Sequence, residues 1–471
     1  MKRTLPAALA TVALLAGCAL PQQPPPASSL QTPAGWRGAA SGSDTTTAAA
    51  VQPGWWQGFG DPTLDALVQS ALAANTDLRV ARSRIAEYQA RLTVAEAAQW
   101  PALSASFSPA RTRTRTATGA FAETTVLQLG AQASYELDLW GRIDRLGEAA
   151  AADLQTQQAA ADAAALSVAA TTANGYLNLR GLDAQLELAQ ATLRSREESL
   201  QRARHLFETG YSSRLEWVQA ESEWRAAAAA VPALQRSIAQ QENALALLLG
   251  RNPGSLDRGL PLASLSAPAV DPGMPSMLLR RRPDIRQAEQ RVAAADASLA
   301  ASRDLLLPTV QLNLSASLQG NTLHQLLDAP ARLWSLGGSI LAPVLQGGRL
   351  RAGTEVAAAL RDQAVFGYEQ TVRNAFGEVE NALVAVDALG AQAEQAQGRA
   401  EVAGEVLRIA RNRQRNGYAS YLEELDAQRT QYAAQQSLLQ LRAAQLQAHV
   451  DLYRALGGGW QAPPDSAVSA P

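Results

Sequence analysis

The sequence has little of what enzymes and helical membrane proteins depend on. Its 471 residues include one cysteine and three histidines, and no HExxH or CxxC motif occurs. No stretch of 18 uninterrupted apolar residues is present, which excludes a membrane-spanning helix. The charges nearly balance, with 41 basic against 43 acidic residues, and this balance does not indicate nucleic-acid binding. We therefore expect no enzyme activity, no metal and no cofactor.

The N-terminus has the pattern of a bacterial export signal. Lys2 and Arg3 precede an apolar run, Leu5–Leu15, that is too short to span a membrane. The run ends in Leu15-Ala16-Gly17-Cys18, which is similar to the lipobox of bacterial lipoproteins. We expect residues 1–17 to be a signal peptide and Cys18 to carry lipid, because a lone thiol in an exported chain has no disulfide partner. The alternative is an ordinary cleaved signal with an incidental cysteine.

The segment after the signal is poor in large apolar residues. Residues 18–53 consist mainly of Pro, Gln, Ser, Thr, Gly and Ala. Such a composition does not supply a core. We expect a lipidated N-terminal linker that acts as a flexible tether.

A constant offset of 207 residues relates two halves of the chain. Glu208–Ala220 is ETGYSSRLEWVQA, and Arg415–Ala427 is RNGYASYLEELDA. The same offset relates four further pairs, namely Asp77 and Asp284, Pro101 and Pro308, Gly141 and Gly348, and Leu249 and Leu456. Several matching pairs at one constant offset indicate two tandem copies of one structural unit. We assign repeat 1 to residues 54–251, an inter-repeat linker to 252–275, repeat 2 to 276–457 and a flexible C-terminal tail to 458–471.

Each repeat has the same predicted order of elements: a helix that ends before a proline, two strands, a very long helix and a returning helix. Residues that favour helix predict helices over 63–99, 142–208 and 213–249 in repeat 1, and over 284–307, 349–415 and 420–456 in repeat 2. Gly210 and Gly417 are expected to cap the long helices, each of which would span about 100 Å. Pro232 is expected to kink the first returning helix.

Alternation of apolar and polar residues predicts four strands. In Val126–Leu139 the odd positions are apolar from Leu127 onward and the even positions are polar or small. The same period occurs in 103–108, 310–319 and 334–340. Runs of about ten residues with this period are typical of transmembrane β-barrel strands. The alternative, a half-buried strand in a soluble sandwich, agrees less well with a lipobox and very long helices.

Four strands cannot close a barrel, so the chain is expected to oligomerise. An open sheet edge in hydrocarbon leaves backbone groups unpaired at a cost of several kcal/mol each. Two copies would give eight strands and a filled interior, whereas three copies give twelve strands and room for water. The small polar residues of the inward face favour three copies.

The chain resembles a known family in four motifs. They are GWWQGFGDPTLDALVQSAL from Gly54, GMPSMLLRRRPDIRQAE from Gly273, DLWGR from Asp138, and the paired GY-S--LE turns. Together they are similar to the TolC-like outer-membrane factors, in particular the lipoprotein branch of resistance-nodulation-division efflux systems. The resemblance implies mixed α and transmembrane β structure: a homotrimer with a 12-stranded outer-membrane barrel, four strands per chain, continued by a long periplasmic α-helical barrel.

The resemblance also implies partners and a function. The trimer would be a passive exit duct for drugs and small toxic compounds, which it would receive from a periplasmic adaptor protein and an inner-membrane pump. The turns between the long and returning helices would dock the adaptor. The candidate docking residues are Gly210, Tyr211, Ser213 and Leu215, with Gly417, Tyr418, Ser420 and Leu422. Two alternatives stay open, namely a duct for type I protein secretion and a lipid-anchored coiled coil without a pore.

A periplasmic gate is the other site that the resemblance suggests, whereas a lumen lining is expected from two alternate carboxylates on the second strand, for which acid–base chemistry is the alternative. Leu422, Asp426 and Arg429 match the family positions that close the periplasmic mouth, and in a trimer each would form a ring of three. The alternative for Asp426 and Arg429 is an ordinary solvated pair one turn apart. Glu136 and Asp138 are expected to line the lumen near the periplasmic end of the second strand.

Overall fold

The computed structural model describes residues 24, 26–27, 30–37, 52–267 and 270–460. The predicted signal peptide, Cys18 and most of the predicted C-terminal tail lie outside these residues. The chain divides into two compact units, and each combines parts of both repeats. Of the described residues, 84–158 and 287–369 belong to unit 1, and 30–37, 52–83, 159–267, 270–286 and 370–460 belong to unit 2.

Unit 1 contains one antiparallel sheet in the order β1-β2-β3-β4. The strands are β1 (Ala102–Arg115), β2 (Phe121–Leu137), β3 (Thr309–Gly320) and β4 (Ala331–Leu341). Repeat 1 supplies the first pair and repeat 2 the second. The β2–β3 ladder therefore joins the repeats, which is why no compact unit coincides with one repeat.

The sheet has one apolar and one polar face, as predicted. Leu103, Ala133, Leu314 and Leu336 form one row of partners across the four strands. The next row consists of Ser104, Gln132, Ser315 and Ser335. Each ladder runs without a bulge. Alternate residues of a strand therefore stay on the same face of the sheet along its whole length. Leu103, Leu314 and Leu336 are exposed, which suits a sheet that meets lipid.

β1 and β2 extend beyond the predicted alternation. The apolar period in β1 ends near Phe107 and the predicted second strand begins at Val126, yet the ladder continues to the pair Arg115 and Phe121. Charged residues replace apolar ones in this extension, so the hydropathy period stops while the backbone pairing does not.

The described residues contain nine α-helices. They are α1 (Pro62–Ala74), α2 (Thr76–Ala97), α3 (Arg142–Glu208), α4 (Arg214–Leu248), α5 (Pro275–Arg281), α6 (Pro283–Asp304), α7 (Leu323–Asp328), α8 (Arg349–Arg415) and α9 (Tyr421–Ala455). The two long helices, α3 and α8, have the predicted bounds and 67 residues each. α4 continues through Pro232. No helix in the described ranges combines the length and apolar character needed to cross a membrane.

One predicted helix proved to be two. The expected helix over 63–99 is interrupted at Asn75, whose backbone leaves the helical region with ψ of 134°. The side-chain oxygen of Asn75 accepts from the amides of Asp77 and Leu78 at 2.9 and 3.2 Å. Asn75 therefore caps the start of α2, which the composition alone did not indicate.

The core of unit 2 is built around Tyr176 of α3. Its hydroxyl donates to Asp61 at 2.6 Å and accepts from the amide of Gly259 at 3.1 Å. Burial raises the pKa of Tyr176, and its hydrogen bond to Asp61 adds to this rise. Asp61 also accepts from the amides of Thr63 and Leu260. These bonds satisfy a fully buried carboxylate and fix the start of α1 in the core.

Part of the predicted tether is packed rather than free. Trp36 is 9% exposed, donates to the carbonyl of Gly273 at 2.8 Å and lies edge-on to Phe376. The amide of Arg37 donates to Glu380 at 2.8 Å. The expectation of a flexible linker is therefore wrong at Trp36 and Arg37, because one large aromatic side chain provides the apolar contact that the average composition lacks.

Candidate functional site: the tips of the two helical hairpins

Both hairpins in unit 2 turn through the same backbone motif. Gly210 follows α3 with φ of 83°, and Gly417 follows α8 with φ of 75°. Glycine adopts this left-handed conformation without strain. The amide of the next residue, Tyr211 or Tyr418, donates to the carbonyl five residues earlier at 2.8 Å in both turns. This pattern is the Schellman motif, and it explains why both copies contain Gly-Tyr.

The residues predicted to dock a partner are all exposed. The exposed fraction is 85% for Tyr211, 78% for Tyr418, 65% for Leu215 and 56% for Leu422. The small residues of the same set are exposed as well, namely Gly210, Ser213, Gly417 and Ser420. Aromatic and aliphatic side chains grouped at an exposed turn are typical of an interaction surface.

The two turns differ in how their returning helices begin. The Ser213 side chain accepts from the amide of Glu216 at 3.4 Å. The Ser420 side chain makes no capping bond within the described residues. An ion pair between Arg413 and Glu423, 3.3 Å long, joins the flanking helices instead. The start of α9 therefore does not depend on the hydroxyl of Ser420.

A groove of about 970 Å³ borders both tips. α3 supplies Arg202 and Leu206, the first turn supplies Tyr211, and the second hairpin supplies Gly417 and Tyr421. Tip residues of both repeats thus share one opening, and its wall is partly apolar and partly charged.

The predicted gate residues lie on one exposed face of α9. Leu422, Asp426 and Arg429 are exposed, whereas Leu425 and Gln428 between them are buried. Spacings of four and three residues place the exposed side chains in one line along the helix. The helix therefore presents an apolar, an acidic and a basic side chain in sequence.

The guanidinium of Arg429 binds Glu223 of α4. Its Nε donates to Oε1 of Glu223 at 3.0 Å, and its Nη2 contacts the same oxygen. This hydrogen bond raises the pKa of Arg429, and Asp426 contributes a smaller electrostatic effect. The main partner of Arg429 thus belongs to the hairpin of the other repeat.

Arg196 of α3 lies beside the same carboxylate and is 5% exposed. Its Nη1 donates to Oε1 of Gln428, and its Nη2 is 3.6 Å from Glu223. Burial lowers the pKa of Arg196, and the charge of Glu223 opposes that change. An arginine stays protonated in proteins, so Glu223 lies between two cations from different hairpins.

A second carboxylate extends this network. Glu424 of α9 is 5% exposed and accepts from Nε2 of Gln428 at 2.8 Å and from Nε of Arg411 at 3.3 Å. Arg411 also donates to the hydroxyl of Ser195 at 3.3 Å. Four helices are thereby joined through polar contacts next to the exposed face of α9.

Sequence patterns did not reveal Glu223 or Arg196. The repeat comparison drew attention to identical pairs, but Glu223 corresponds to Thr430 and Arg196 corresponds to Ala403. Arg196 also precedes two glutamates, a pattern typical of a solvated helix face. A comparison of the positions where the repeats differ in charge would have found both residues.

The predicted lumen residues lie at the junction of β2 and α3 in unit 1. Glu136 pairs with Arg142 at 2.7 Å, and Asp138 accepts from the amide of Asp144 at 2.9 Å. A carboxylate at a helix N-terminus interacts favourably with the helix dipole. Both carboxylates thus stabilise the strand-to-helix turn, and their role as a lumen lining stays a prediction.

The architecture has the features of an outer-membrane channel: a β-sheet with one apolar face, and helices far longer than those of globular proteins. The model of the family described as outer membrane efflux protein matches residues 67–251 and again residues 274–458. The two matches begin and end 207 residues apart, which is the offset of the sequence repeat. The chain belongs to this family.

Named relatives and solved structures agree with this assignment. The chain is 33% identical over 472 residues to the probable efflux pump outer membrane protein TtgC of Pseudomonas putida, with 98% of this chain and 96% of the relative covered. The open-state MtrE outer membrane channel of Neisseria gonorrhoeae matches with a TM-score of 0.83 and 31% identity, covering 93% and 98% of the two chains. A membrane protein of Pseudomonas aeruginosa matches with a TM-score of 0.82 and 31% identity, covering 96% and 99%.

The comparisons confirm the predicted fold class and the outer-membrane location with a periplasmic extension. As a family member the chain supplies four strands to a trimeric, twelve-stranded barrel in the outer membrane, and its helices extend into the periplasm. Its class is that of an efflux channel component.

Proposed function

We propose that the trimer is the exit duct of a tripartite pump that expels drugs and small toxic compounds. A periplasmic adaptor and an inner-membrane pump of the resistance-nodulation-division type would deliver the compounds. The duct itself catalyses no reaction. The observation that carries this proposal is the paired tip, where both hairpins expose Gly-Tyr turns around one groove. The names of relatives such as the toluene efflux protein TtgC of Pseudomonas putida support efflux rather than protein secretion.

The adaptor would bind at the tips. The exposed tyrosines and leucines provide apolar contacts, and the small residues Gly210, Ser213, Gly417 and Ser420 allow a helical partner to approach the backbone closely. Three chains with two hairpins each present six such tips. The two tips of one chain are not equivalent, because only the first has a serine cap.

The exposed line Leu422, Asp426 and Arg429 would close the periplasmic mouth. Three copies around the pore axis would form one ring of leucines, one of aspartates and one of arginines. The bond from Arg429 to Glu223 supports closure, because it attaches the line on α9 to the first hairpin of the same chain. Opening would require this bond to break or to move.

Two further features complete the proposal. Cys18, outside the described residues, would anchor the mature N-terminus through attached lipid, including palmitate. Glu136 and Asp138 would give the periplasmic end of the barrel lumen a negative lining. The local bonds of both residues hold them at the end of β2, where this lining is expected.

Deletion of the gene in its own bacterium tests efflux against secretion. We expect a several-fold loss of resistance to toxic compounds, restored by a plasmid copy, with an unchanged set of secreted proteins. Preserved resistance together with a missing secreted protein would instead support the secretion duct. Ion conductance by purified trimers in planar bilayers would exclude the coiled coil without a pore.

A further inference from the structure

Three arginines lie on the same face of β1 as its apolar residues. Arg111, Arg113 and Arg115 occupy odd positions, as do the apolar residues Leu103 and Phe107. The ladder of β1 with β2 pairs every residue from 102 to 115 without a bulge. The arginines therefore cannot have moved to the lumen side, because only a register change exchanges the two faces.

Side-chain contacts confirm the shared face. The guanidinium of Arg113 lies 4.7 Å from the ring centre of Phe121, and that of Arg115 lies 6.0 Å from it. Arg111 pairs with Glu123 at 2.7 Å. Phe121 and Glu123 occupy odd positions of β2, as do the residues of its apolar face. The arginines, an aromatic ring and one carboxylate thus form a single surface, which we call the arginine face.

The arginine face lies at the outer boundary of the membrane. β1 begins next to the periplasmic helix α2 and ends at the turn into β2, so the turn is on the external side. Arg111 and Arg115 follow Leu103 by eight and twelve residues. With a rise of about 3.4 Å per residue and a strand tilt of about 40°, they lie roughly 21 and 31 Å above it, where an apolar band of about 25 Å ends.

The charge of the arginine face is unbalanced and accessible. Glu123 is the only carboxylate bound to these arginines among the described residues, where it pairs with Arg111 and Arg113. The face therefore carries a net charge of +2 per chain. The side chains of Arg111 and Arg113 are 74% and 63% exposed. Contacts with Phe121 and Glu123 orient the guanidinium groups in advance, which reduces the entropy lost when they bind a ligand.

We propose that the arginine face binds the phosphate groups of outer-leaflet lipids. Guanidinium groups bind phosphate oxygens in a bidentate manner, while Phe107, which lies below them on the same face of β1, contacts the upper part of the acyl chains. The site goes beyond the efflux function. It depends on the outer-membrane location and on the outward direction of the apolar face, and each barrel carries three copies.

Lipid binding to the purified full-length trimer tests the proposal. Native mass spectrometry would compare bisphosphorylated lipid A with the same lipid after removal of its phosphates. We expect the phosphorylated lipid to bind at least tenfold more tightly, with up to three molecules per trimer. Replacement of Arg111, Arg113 and Arg115 by glutamine should weaken its binding roughly 20- to 100-fold. Replacement of Arg225, equally exposed and paired with Glu221 on α4, is the matched control and should leave binding unchanged.

Several outcomes would overturn the proposal. Equal binding of the two lipids would mean that acyl contacts alone hold the lipid. Displacement of lipid by millimolar inorganic phosphate would mean that the arginines hold a free anion. If the triple variant does not form trimers, the comparison of the two lipids on the unmodified protein still tests the proposal. The single variant Arg113→Gln then replaces the triple variant in the binding measurement.

Discussion

The side-chain amide of Asn75 donates to the carbonyl of Leu248 at 3.0 Å. At the equivalent position of repeat 2, Arg282 donates from Nη1 to the carbonyl of Ala455, also at 3.0 Å. The two donors are one repeat offset apart, and so are the two acceptors. The bond that ties the first helix of a repeat to the end of its last helix was therefore kept, although the donor changed from an amide to a guanidinium.

The two bonds predict unequal losses of stability. Arg282 also binds both carboxylate oxygens of Asp284, at 2.9 and 2.6 Å, and Glu378 at 2.9 Å. Burial disfavours its charge, but these carboxylates outweigh that effect and raise the pKa of Arg282. Arg282→Ala should cost about 3 kcal/mol per chain, because the carboxylates lose a buried partner, and Asn75→Ala about 1 kcal/mol. Thermal dissociation of the trimer should rank the variants in that order, and a greater loss for Asn75→Ala would show that the carboxylates do not depend on Arg282.

The Arg429–Glu223 bond predicts a leaky channel when it is removed. Glu223→Gln should replace a charge-assisted bond, worth about 1.5–3 kcal/mol, by a weaker one. If the closed state loses about 1.4 kcal/mol, the ratio of open to closed channels rises roughly tenfold. The current through single trimers in planar bilayers measures this ratio.

Glu221→Gln is the control for this experiment. Glu221 lies on the same helix, and among the described residues it pairs only locally with Arg225, at 2.6 Å, so its variant should keep the closed-channel current. The double variant Asp426→Ala with Arg429→Ala should leak as well. If the closed-channel current is unchanged in both gate variants, the assignment of the gate to this face is wrong.

The tips predict a loss of function without a loss of assembly. Gly417→Arg or Ser420→Arg should abolish resistance, because a large charged side chain would occupy the surface where the adaptor docks. A Cβ at Gly417 meets no atom within 4 Å, so the expected structural cost is the strain of φ at 75°, about 1–2 kcal/mol. Trimers should still reach the outer membrane, which heat-modifiability on gels would show.

Gly119→Arg provides the matched control for the tips. Gly119 has φ of 87° and lies in the turn between β1 and β2, at the external end of the barrel. The substitution imposes a similar strain, and resistance should persist. Equal resistance in the Gly417 and Gly119 variants would count against docking at the tips.

Asp162 predicts a pH-dependent contribution to stability. Burial raises the pKa of Asp162 above its ordinary value of 3.8, and the hydrogen bond from Trp460, 2.9 Å long, partly opposes this rise. The folded state then binds the proton more tightly than the unfolded state. The destabilising effect is full at neutral pH and disappears as the pH falls through the raised pKa towards 3.8.

Asp162→Asn should therefore stabilise the trimer at pH 7, while an asparagine oxygen still accepts from Trp460. The gain should shrink as the pH falls below the raised pKa. Thermal dissociation of both proteins between pH 7 and pH 4 provides the measurement. A gain that is constant over this range, or one that grows on acidification, would show that the carboxyl titrates normally.

Much of the fold followed from patterns that are local in the chain. The bounds of α3 and α8 were correct, because Ala- and Arg-rich runs favour helix over their whole length and Gly210 and Gly417 end them in a recognisable cap. The four strands were found from the alternation of side chains, and the repeat offset placed them in two equivalent pairs. In each case neighbouring residues carried the signal.

The break at Asn75 and the packing of Trp36 were missed for a different reason. Trp36 depends on Gly273 and Phe376, and Asn75, which also caps α2 locally, bonds to the carbonyl of Leu248. These partners are remote in sequence, so neither composition nor periodicity indicates them. The extension of β1 to Arg115 likewise depends on pairing with β2, since its own residues are no longer apolar.

The tip residues were evident in the sequence because the same turn occurs in both repeats and each copy is stabilised by its own backbone. The partners of those residues were not. Glu223 meets Arg196 and Arg429 only because three helices from both repeats pack together. The arginine face exists only because the β1–β2 ladder continues without a break beyond the last apolar residues. The odd-numbered arginines therefore stay on the same face as those residues. Hydrogen-bonded register and helix packing join distant segments, and the charges that meet there depend on geometry that no local pattern encodes.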